Sequence, residues 1–387
     1  MFKLDGPHVE LHEYAMPVDD TIDFNTYVGD WDELYIRTYH RVFGDREHVL
    51  FWGKSELGIF VTSVGRAVED MGHPTLSLGP NGFHFARLAH ENGAPDFPGP
   101  KALTKLFPHF DECKFSYANG GEKLSAQLIS FEQKMKPTRY KFGVLYMQNG
   151  QVEENDIYGN LDPSVGFVEF LKQLGALIEL KSHKAYKGGL DCSGADSTGE
   201  LSVYTTVSLA DGRFVREGAK APVDAQEMVK LEIMFHVAPF LPHTSEKEDG
   251  NQQLQKKRHL GNDICVVIYK EGNSVLNPEV FKSQFNHVYI VVTPCVAASA
   301  PLVTLYKVEV VTKGLKGFLP QLPPNGLLTQ EALRDWLLLK LINGEVAAMN
   351  AKDLRLKMKR TRVQTLESWA KTHMGDGSFQ TAFVKKR

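Results

Sequence analysis

From about residue 140 the chain alternates short apolar runs with stretches of helical periodicity, and this alternation restricts its fold more than any other feature. Ser164 begins a helix whose apolar residues recur at the i, i+3, i+4, i+7 spacing of one buried face, and Gly175 ends it. The apolar runs that we predict to be strands are 141–146, 202–207, 231–237, 264–269, 288–293 and 303–311. Strands separated by helices indicate an α/β fold, a mixed sheet flanked by helices.

The first third of the chain has a different pattern. Residues 1–30 show weak periodicity and predict an irregular arm. Residues 31–43 predict a helix, and the apolar alternations at 57–64 and 124–131 predict strands. This mixture indicates an α+β N-terminal domain that ends near residues 134–138.

The last part of the chain is predicted to be helical. The polar, glycine-containing stretch 208–229 predicts a loop insertion within the α/β region, and the proline-rich stretch 320–325 predicts a linker. A long helix begins near Thr329, and a charged helix continues to about residue 369. The predicted division is therefore an N-terminal domain (1–138), an α/β domain (139–327), its helical extension (328–372) and a flexible tail (373–387).

Composition excludes several classes of protein. The 387 residues carry a formal net charge of −3, which argues against a dedicated nucleic-acid binder. The four cysteines form no CxxC pair, no signal peptide is visible, and no apolar stretch is long enough to span a bilayer. We therefore predict a cytoplasmic protein with no transmembrane segment.

Standard catalytic and cofactor motifs are missing from the sequence. It contains no GxxxxGK[ST] phosphate loop, no GxGxxG dinucleotide fingerprint, no HExxH metal motif and no GxSxG nucleophile elbow. Any catalysis by this chain must therefore work without a standard nucleophile or cofactor motif.

One segment combines helix-ending residues with a cluster of charge. Acidic residues precede a predicted helix at 251–260, and basic residues occupy its last turns, which complements the helix dipole. Gly261 and Asn262 both tolerate left-handed backbone angles and are therefore typical helix ends. A well-capped surface helix explains this pattern. A second interpretation is that the basic helix end and the neutral amide of Asn262 face a phosphate-bearing partner.

The segment KKRHLGND (256–263) resembles the signature of the Rap GTPase-activating proteins, which tuberin and the Ral-GAP subunits share. The resemblance covers roughly residues 139–370. The other similar strings are YKFGVLY (140–146), GFVEFL (166–171), GGLD (188–191), SVY (202–204), EIMFHV (232–237), QF-HVY (284–289), LYKV (305–308) and LKLIN (339–343).

This resemblance implies a G-domain-like catalytic fold and an activity in trans. Family members insert an asparagine, the Asn thumb, which replaces the water-orienting glutamine that Rap lacks. Asn262 occupies the corresponding position, and its implied role is to orient the water that attacks the γ-phosphate. The chain would then complete the active site of a Rap-type GTPase and would not be a stand-alone enzyme. It would need no cofactor of its own, because GTP and Mg²⁺ belong to the partner.

The resemblance also implies partner-binding residues around Asn262. His259 lies about one helical turn before it, and either contacts the GTPase or caps the helix. Lys257 and Arg258 are assigned to steering or docking, since the family uses the amide and not an arginine finger. Arg360 lies in the basic run 357–362 of the C-terminal helix, where the alternative is a solvated charged face. Tyr146 ends the first strand of the catalytic domain and either lines a binding crevice or is packed.

Several alternatives stay open. The string FGDREH (43–48) resembles part of the family's dimerising N-terminal domain and implies a homodimer. The partner GTPase is Rap, Rheb or Ral. A scaffold that binds a GTPase without activating it is a second class. The missing phosphate loop argues against a GTPase, and the shortness of the two basic runs argues against binding to nucleic acid or membranes.

Overall fold

The structure, a computed structural model, describes only part of the N-terminal third of the chain and most of the other two thirds. The described ranges are 2–5, 48–55, 58–66, 83–88, 114–120, part of 123–131, 380–381, and 137–374 with gaps at 192–197, 211–212, 244–252, 298–299, 316–321, 324–325, 350–351 and isolated positions between 216 and 227. The predicted helix at 31–43 lies outside the described residues.

The strands are numbered in chain order. They are β1 (Phe2–Asp5), β2 (His48–Ser55), β3 (Gly58–Arg66), β4 (Phe83–Leu88), β5 (Lys114–Gly120), β6 (Arg139–Met147), β7 (Ala176–Glu179), β8 (Leu201–Ala210), β9 (Arg213–Val215), β10 (Met228–Val237), β11 (Cys265–Lys270), β12 (Val288–Ala297), β13 (Ala300–Lys313), β14 (Leu327–Thr329) and β15 (Gln380–Thr381). The α-helices are α1 (Glu154–Gly159), α2 (Val165–Leu174), α3 (Leu254–Leu260), α4 (Gln330–Met349) and α5 (Lys352–Met374).

The chain folds into two compact units. The first comprises residues 1–27 and 137–351, and the second comprises residues 28–136 and 352–387. This division differs from the predicted one, which kept 328–372 together as an extension of the catalytic domain. Here α4 belongs to the first unit and α5 to the second.

The first unit is built on a ten-stranded mixed sheet in the order β1-β13-β12-β11-β6-β10-β8-β7, with β14 on β13 and β9 on β8. The four central strands β12, β11, β6 and β10 are parallel, and the flanking strands are antiparallel. Parallel strands are usually covered on both faces. The six residues of β11 are all buried, which agrees with that rule. The predicted α/β mixed sheet flanked by helices is confirmed.

Helix α2 shows how local sequence sets an element. The Ser164 hydroxyl accepts a hydrogen bond from the Phe167 N–H, and the Gly175 N–H donates to the Leu171 carbonyl. The capped helix buries Phe167, Phe170, Leu171 and Leu174 on one face of the sheet, in a core shared with α4. Residues from α1 and α3 belong to the core on the opposite face. The predicted boundaries of α2 are confirmed.

Four predictions of local structure are wrong. The described residues between 123 and 131 are helical, because Leu124 and Phe131 lie seven positions apart on one buried helix face. Within the predicted irregular arm, Phe2–Asp5 pairs with β13. The predicted loop insertion 208–229 contains the ends of β8 and β10 and the short β9. In the predicted flexible tail, Gln380–Thr381 pairs with β5.

The second unit is described in less detail. Its sheet has the order β15-β5-β2-β3-β4, and the only parallel pair among these strands is β3 with β4. Helix α5 contacts β5, and the rings of Phe131 and Trp369 lie 5.9 Å apart. The unit therefore combines strands and helix, in agreement with the predicted α+β class.

Candidate functional site

The candidate site is the turn between α3 and β11, at the amino edge of the central parallel strands. Helix α3 ends at Leu260, which is fully buried, and β11 begins at Cys265. Between them, Asn262 is exposed while the next residue, Asp263, is fully buried. The turn therefore exposes the Asn262 amide directly beside a fully buried residue, Asp263.

Gly261 ends α3 for a reason other than the predicted one. Its backbone is right-handed, with φ −66° and ψ −15°, so the tolerance of left-handed angles is not used here. A Cβ at this position would collide with the carbonyl oxygen of Lys257. The glycine is therefore required by close packing of the turn against the helix end.

Asp263 is the buried residue that holds the turn in place. Its Oδ2 lies 2.8 Å from Nδ1 of His236, and its Oδ1 forms an ion pair with Lys141 at 3.2 Å. The Asn286 amide donates to the backbone carbonyls of Leu260 and Asp263. A buried carboxylate is tolerated only when it is paired and hydrogen-bonded, and His236 and Lys141 meet that condition, while Asn286 holds the backbone of the turn.

His236 connects Asp263 to the adjacent loop. Its Nε2 lies 3.0 Å from the Gly188 carbonyl oxygen, so both ring nitrogens face oxygen acceptors.

Glu345, on α4, is a second carboxyl group near Asp263. Burial and the nearby Asp263 raise the pKa of Glu345 to about 8. At neutral pH Glu345 is therefore mostly protonated and adds little negative charge beside Asp263.

Two lysines of α3 hold the helix from its other side. Lys256 is fully buried, and its Nζ donates to the carbonyls of Tyr158 (2.9 Å) and Asn160 (3.1 Å). Burial lowers the pKa of Lys256 to about 8. Lys257 forms an ion pair with Glu154 at 2.9 Å and bonds to Asn155. The basic helix end is thus partly a structural anchor, because the last carbonyls of α1 accept a lysine of α3.

The Asn262 side chain is itself held in place. Its Nδ2 donates to the Arg258 carbonyl at 2.6 Å, and its backbone carbonyl lies 3.5 Å from Lys141 Nζ. Its Oδ1 accepts no hydrogen bond from any described residue. The amide oxygen therefore remains available as an acceptor for a group outside the chain.

His259 lies beside the same turn and is half-buried. Its ring meets that of His236 edge to face, with centroids 5.6 Å apart. Burial, with the nearby His236 and Arg258, lowers the pKa of His259 to about 4. His259 is therefore neutral at physiological pH, whereas Arg258 is exposed and charged.

The structure does not bring Tyr146 to this turn. Tyr146 ends β6 at the carboxyl edge of the sheet, level with Tyr269, while Asn262 precedes the start of β11. The strand between Cys265 and Tyr269 alone spans about 13 Å. Tyr146 is also buried, its hydroxyl donates to Glu271 at 2.8 Å, and burial raises its pKa. Arg360 lies within α5 of the second unit.

Exposed apolar side chains near the turn were not singled out from the sequence. Phe285 is 40% exposed, and its N–H donates to Ser283, whose hydroxyl donates to the Gly261 carbonyl. Leu254 is 52% exposed and precedes Arg258 by one helical turn. Phe285 lies in the QF-HVY string (284–289) that resembles the family, and this string was the sequence signal that could have identified Phe285 as a candidate contact residue.

The described residues contain no group of three or more histidine, cysteine, aspartate or glutamate side chains placed to share a metal ion. Within the same residues, no helix has the length and apolar character needed to cross a membrane.

The fold and the site define a mixed α/β domain with an anchored, uncharged amide exposed at its surface. Residues 157–363 match the protein family described as Rap/ran-GAP. The match covers more than half of the chain, and the chain belongs to this family. The family resemblance identified from the sequence is confirmed.

Two curated relatives agree with this assignment. The chain is 31% identical to human Signal-induced proliferation-associated protein 1 over 97% of its own length and 35% of that protein. It is 33% identical to RapA guanosine triphosphatase-activating protein 1 of Dictyostelium discoideum, over 63% of this chain and 26% of that one. Among solved structures, it is similar to the TSC2 GAP domain, with 28% identity, 55% of this chain and 97% of that chain covered, and a TM-score of 0.41. The chain spans between a fifth and about a third of the length of the first curated relatives that it matches.

Proposed function

We propose that this chain is a GTPase-activating protein for a Rap-type small GTPase and that Asn262 enters the partner's active site in trans. The amide orients the water that attacks the γ-phosphate of GTP. Small GTPases hydrolyse GTP slowly when water is poorly positioned, so positioning is the main contribution that an activator can make. GTP and Mg²⁺ belong to the partner in this proposal, and the chain is an activator and not a stand-alone enzyme.

The observation that carries the proposal is the exposed Asn262 amide above the buried Asp263. Asp263 is fixed by His236 and Lys141, and the Asn262 Nδ2 is fixed by the Arg258 carbonyl. The Oδ1 can then accept a hydrogen bond from one O–H of a water, so that a lone pair of that water is directed away from Oδ1. An uncharged acceptor suits this position, because a carboxylate would repel the γ-phosphate.

The surroundings of Asn262 supply a docking surface. Arg258 is exposed and is assigned to contact the GTPase or steer its approach. Phe285 and Leu254 add exposed apolar area of the kind that anchors protein interfaces. Lys257 and His259 support α3 from within, and any role in docking is secondary for them. Arg360 remains a proposed partner contact, and Tyr146 is left out of the surface because it is buried at the other edge.

The test is single-turnover GTP hydrolysis by GTP-loaded Rap, alone and with the full chain, beside an Asn262→Ala variant. Removing one side chain that makes a hydrogen bond in the transition state typically lowers the rate of the chemical step by about 100-fold to 1,000-fold. We expect Asn262→Ala to lose activation by this order while it still binds GTP-loaded Rap.

Asn273 provides a matched control, since it is also an exposed asparagine but follows β11 at the opposite edge of the sheet. Asn273→Ala should activate as well as the wild type. If Asn262→Ala retains full activation, the amide has no catalytic role.

A scaffold that binds a GTPase without activating it is the second candidate. It would bind GTP-loaded Rap but leave hydrolysis unchanged. Rheb and Ral, tested in the same assay, decide whether the activator serves another GTPase instead. A homodimer through residues 1–138 and a cytoplasmic location stay predictions.

A further inference from the structure

Arg139, near the start of β6, is a charged residue close to the Asn262 turn that the proposed function does not use. Arg139 and Lys141 occupy alternate positions of β6, so both side chains point to the face on which Asp263 lies. Lys141 contacts Asp263 and lies next to the Asn262 carbonyl. Arg139 lies two residues, about 7 Å, farther out along the strand. Two cations, each paired with a carboxylate, therefore follow one another along β6 from the turn towards the amino edge of the sheet.

Arg139 is held in a defined position while most of its side chain stays in solvent. Its Nε donates to Glu232 Oε2 at 3.1 Å, and its guanidinium carbon lies 5.6 Å from the centre of the Tyr186 ring. The side chain is nevertheless 63% exposed. Since exposed ion pairs contribute little stability, this arrangement orders the side chain more than it stabilises the fold.

Glu232 is a fixed support for Arg139. It lies directly opposite Arg139 in the parallel pairing of β10 with β6. Its Oε1 accepts from the Tyr186 N–H at 3.1 Å and from the Tyr204 hydroxyl at 3.0 Å. Burial would raise the pKa of Glu232, but the hydrogen bonds from Tyr186, Tyr204 and Arg139 together lower it. The carboxylate is therefore charged at neutral pH and accepts three hydrogen bonds.

The outer part of the guanidinium is available. Among the described residues, no group accepts a hydrogen bond from either Nη atom of Arg139. A guanidinium whose Nε is already bonded presents its two Nη groups as a planar fork, which matches the two oxygens of a carboxylate. The fork is ordered before any partner arrives, so binding costs little side-chain entropy.

We propose that Arg139 is a second contact point for the small GTPase and that it binds an acidic side chain on the GTPase surface. This inference rests on the proposed function, since the partner is the GTPase whose active site receives Asn262. Arg139 does not touch the reacting atoms. It determines how tightly the GTPase associates, and it selects GTPases that carry a carboxylate at the matching place.

The experiment measures activation of GTP-loaded Rap against the concentration of the full chain, for the wild type and Arg139→Ala. We expect the half-saturating concentration to rise about 5-fold to 10-fold for Arg139→Ala, with the maximal rate within about twofold of the wild type. Arg139→Glu should raise it further through repulsion. Arg139→Lys should recover part of the loss, because it keeps the charge and loses the fork.

Lys307 is the matched control. It is also a part-exposed cation with a carboxylate partner, Glu309 at 3.4 Å, but it lies on β13 opposite Thr293 of β12, level with the carboxyl end of β11. Lys307→Ala should leave the half-saturating concentration unchanged. The half-saturating concentration of the wild type should also rise more steeply with salt than that of Arg139→Ala.

Binding to Rap loaded with a non-hydrolysable GTP analogue is measured in parallel, together with the melting temperature of each variant. If the wild type binds Rap but does not activate it, the proposed function fails and Arg139 is still tested by binding. Equal binding by the wild type and Arg139→Ala overturns the inference, as does an equal loss in Lys307→Ala. A wild type that binds no Rap overturns both.

Discussion

The two edges of the central parallel strands are built in opposite ways. At the amino edge, a buried carboxylate, Asp263, is paired with His236 and Lys141, and the next residue carries an exposed amide. At the carboxyl edge, the polar side chains, most of them only partly buried, bond to one another. Glu271 accepts from both Tyr146 and Ser164 there.

The loops at the carboxyl edge are also joined to each other. The Gly150 N–H, after β6, donates to the Ser274 hydroxyl, after β11, and that hydroxyl bonds to Asn149. Open α/β sheets usually bind their ligands at the carboxyl ends of the strands. In this sheet the exposed, anchored amide lies at the opposite end. The buried Asp263, the next residue in the sequence, supports the amide there.

The largest expected effect comes from removing the buried carboxylate at the amino edge. Asp263→Ala leaves His236 and Lys141 without their partner, and breaking a buried pair costs about 3 kcal/mol or more in the free energy of unfolding. The turn also loses its anchor, so activation of GTP-loaded Rap should fall at least tenfold. Urea denaturation and the hydrolysis assay measure the two effects.

Glu271→Ala is the corresponding change at the carboxyl edge. It should cost about 1–2 kcal/mol, since two hydroxyl donors lose one acceptor, and leave activation within about twofold. If Glu271→Ala lowers activation as much as Asp263→Ala does, the contrast between the edges has no functional meaning.

An intermediate effect is expected from adding a Cβ atom at Gly261. A Cβ there meets the Lys257 carbonyl, so Gly261→Ala must shift the end of α3, at a cost of about 1–3 kcal/mol. Activation should fall because Asn262 moves with the turn. Thermal unfolding and the hydrolysis assay report both losses.

Gly159, at the end of α1, is the control for Gly261. A Cβ at Gly159 meets no atom within 4 Å, so Gly159→Ala should be neutral or slightly stabilising. Equal losses in the two variants would mean that any alanine in these helix ends is harmful, whatever its contacts.

The smallest effect is expected from pH. The pKa of His259 is lowered to about 4 in the folded chain, against about 6.5 in an unfolded one. Between these values the unfolded state binds more protons, so the contribution of His259 to stability is present above pH 6.5 and is lost as pH falls towards 4. The full difference between these two pKa values would correspond to roughly 3 kcal/mol, but His259 is only half-buried and solvent screening reduces its contribution. Across this window the free energy of unfolding of His259→Gln should therefore fall by about 1 kcal/mol less than that of the wild type, in urea denaturation at successive pH values. Parallel pH curves would contradict the assignment.

Some of this fold could be predicted from sequence because the signals are local. Ser164 and Gly175 mark the two ends of α2, through a side-chain cap and a backbone cap. The apolar runs of β6 and β11 are typical of strands that are buried on both faces. The motif KKRHLGND (256–263) indicated the family, which the match over residues 157–363 confirms, while the role of Asn262 stays a prediction. These elements depend on a few neighbouring residues.

What could not be predicted depends on distant partners. Lys256 is polar by type, and only the carbonyls of Tyr158 and Asn160, almost 100 residues earlier, explain its burial. The strand at Phe2–Asp5 exists through pairing with β13, and that at Gln380–Thr381 through pairing with β5. The role of Gly261 depended on packing, which a motif does not reveal.

The division of the chain into interleaved units has a consequence for synthesis on the ribosome. The second unit needs both residues 28–136 and residues 352–387, and its β15 pairs Gln380 with Phe115. All of the first unit is therefore translated before the last segment of the second emerges. Since long-range pairing is slow and domains fold as units during translation, the larger sheet can assemble while the second unit is still waiting for its C-terminal helix and strand.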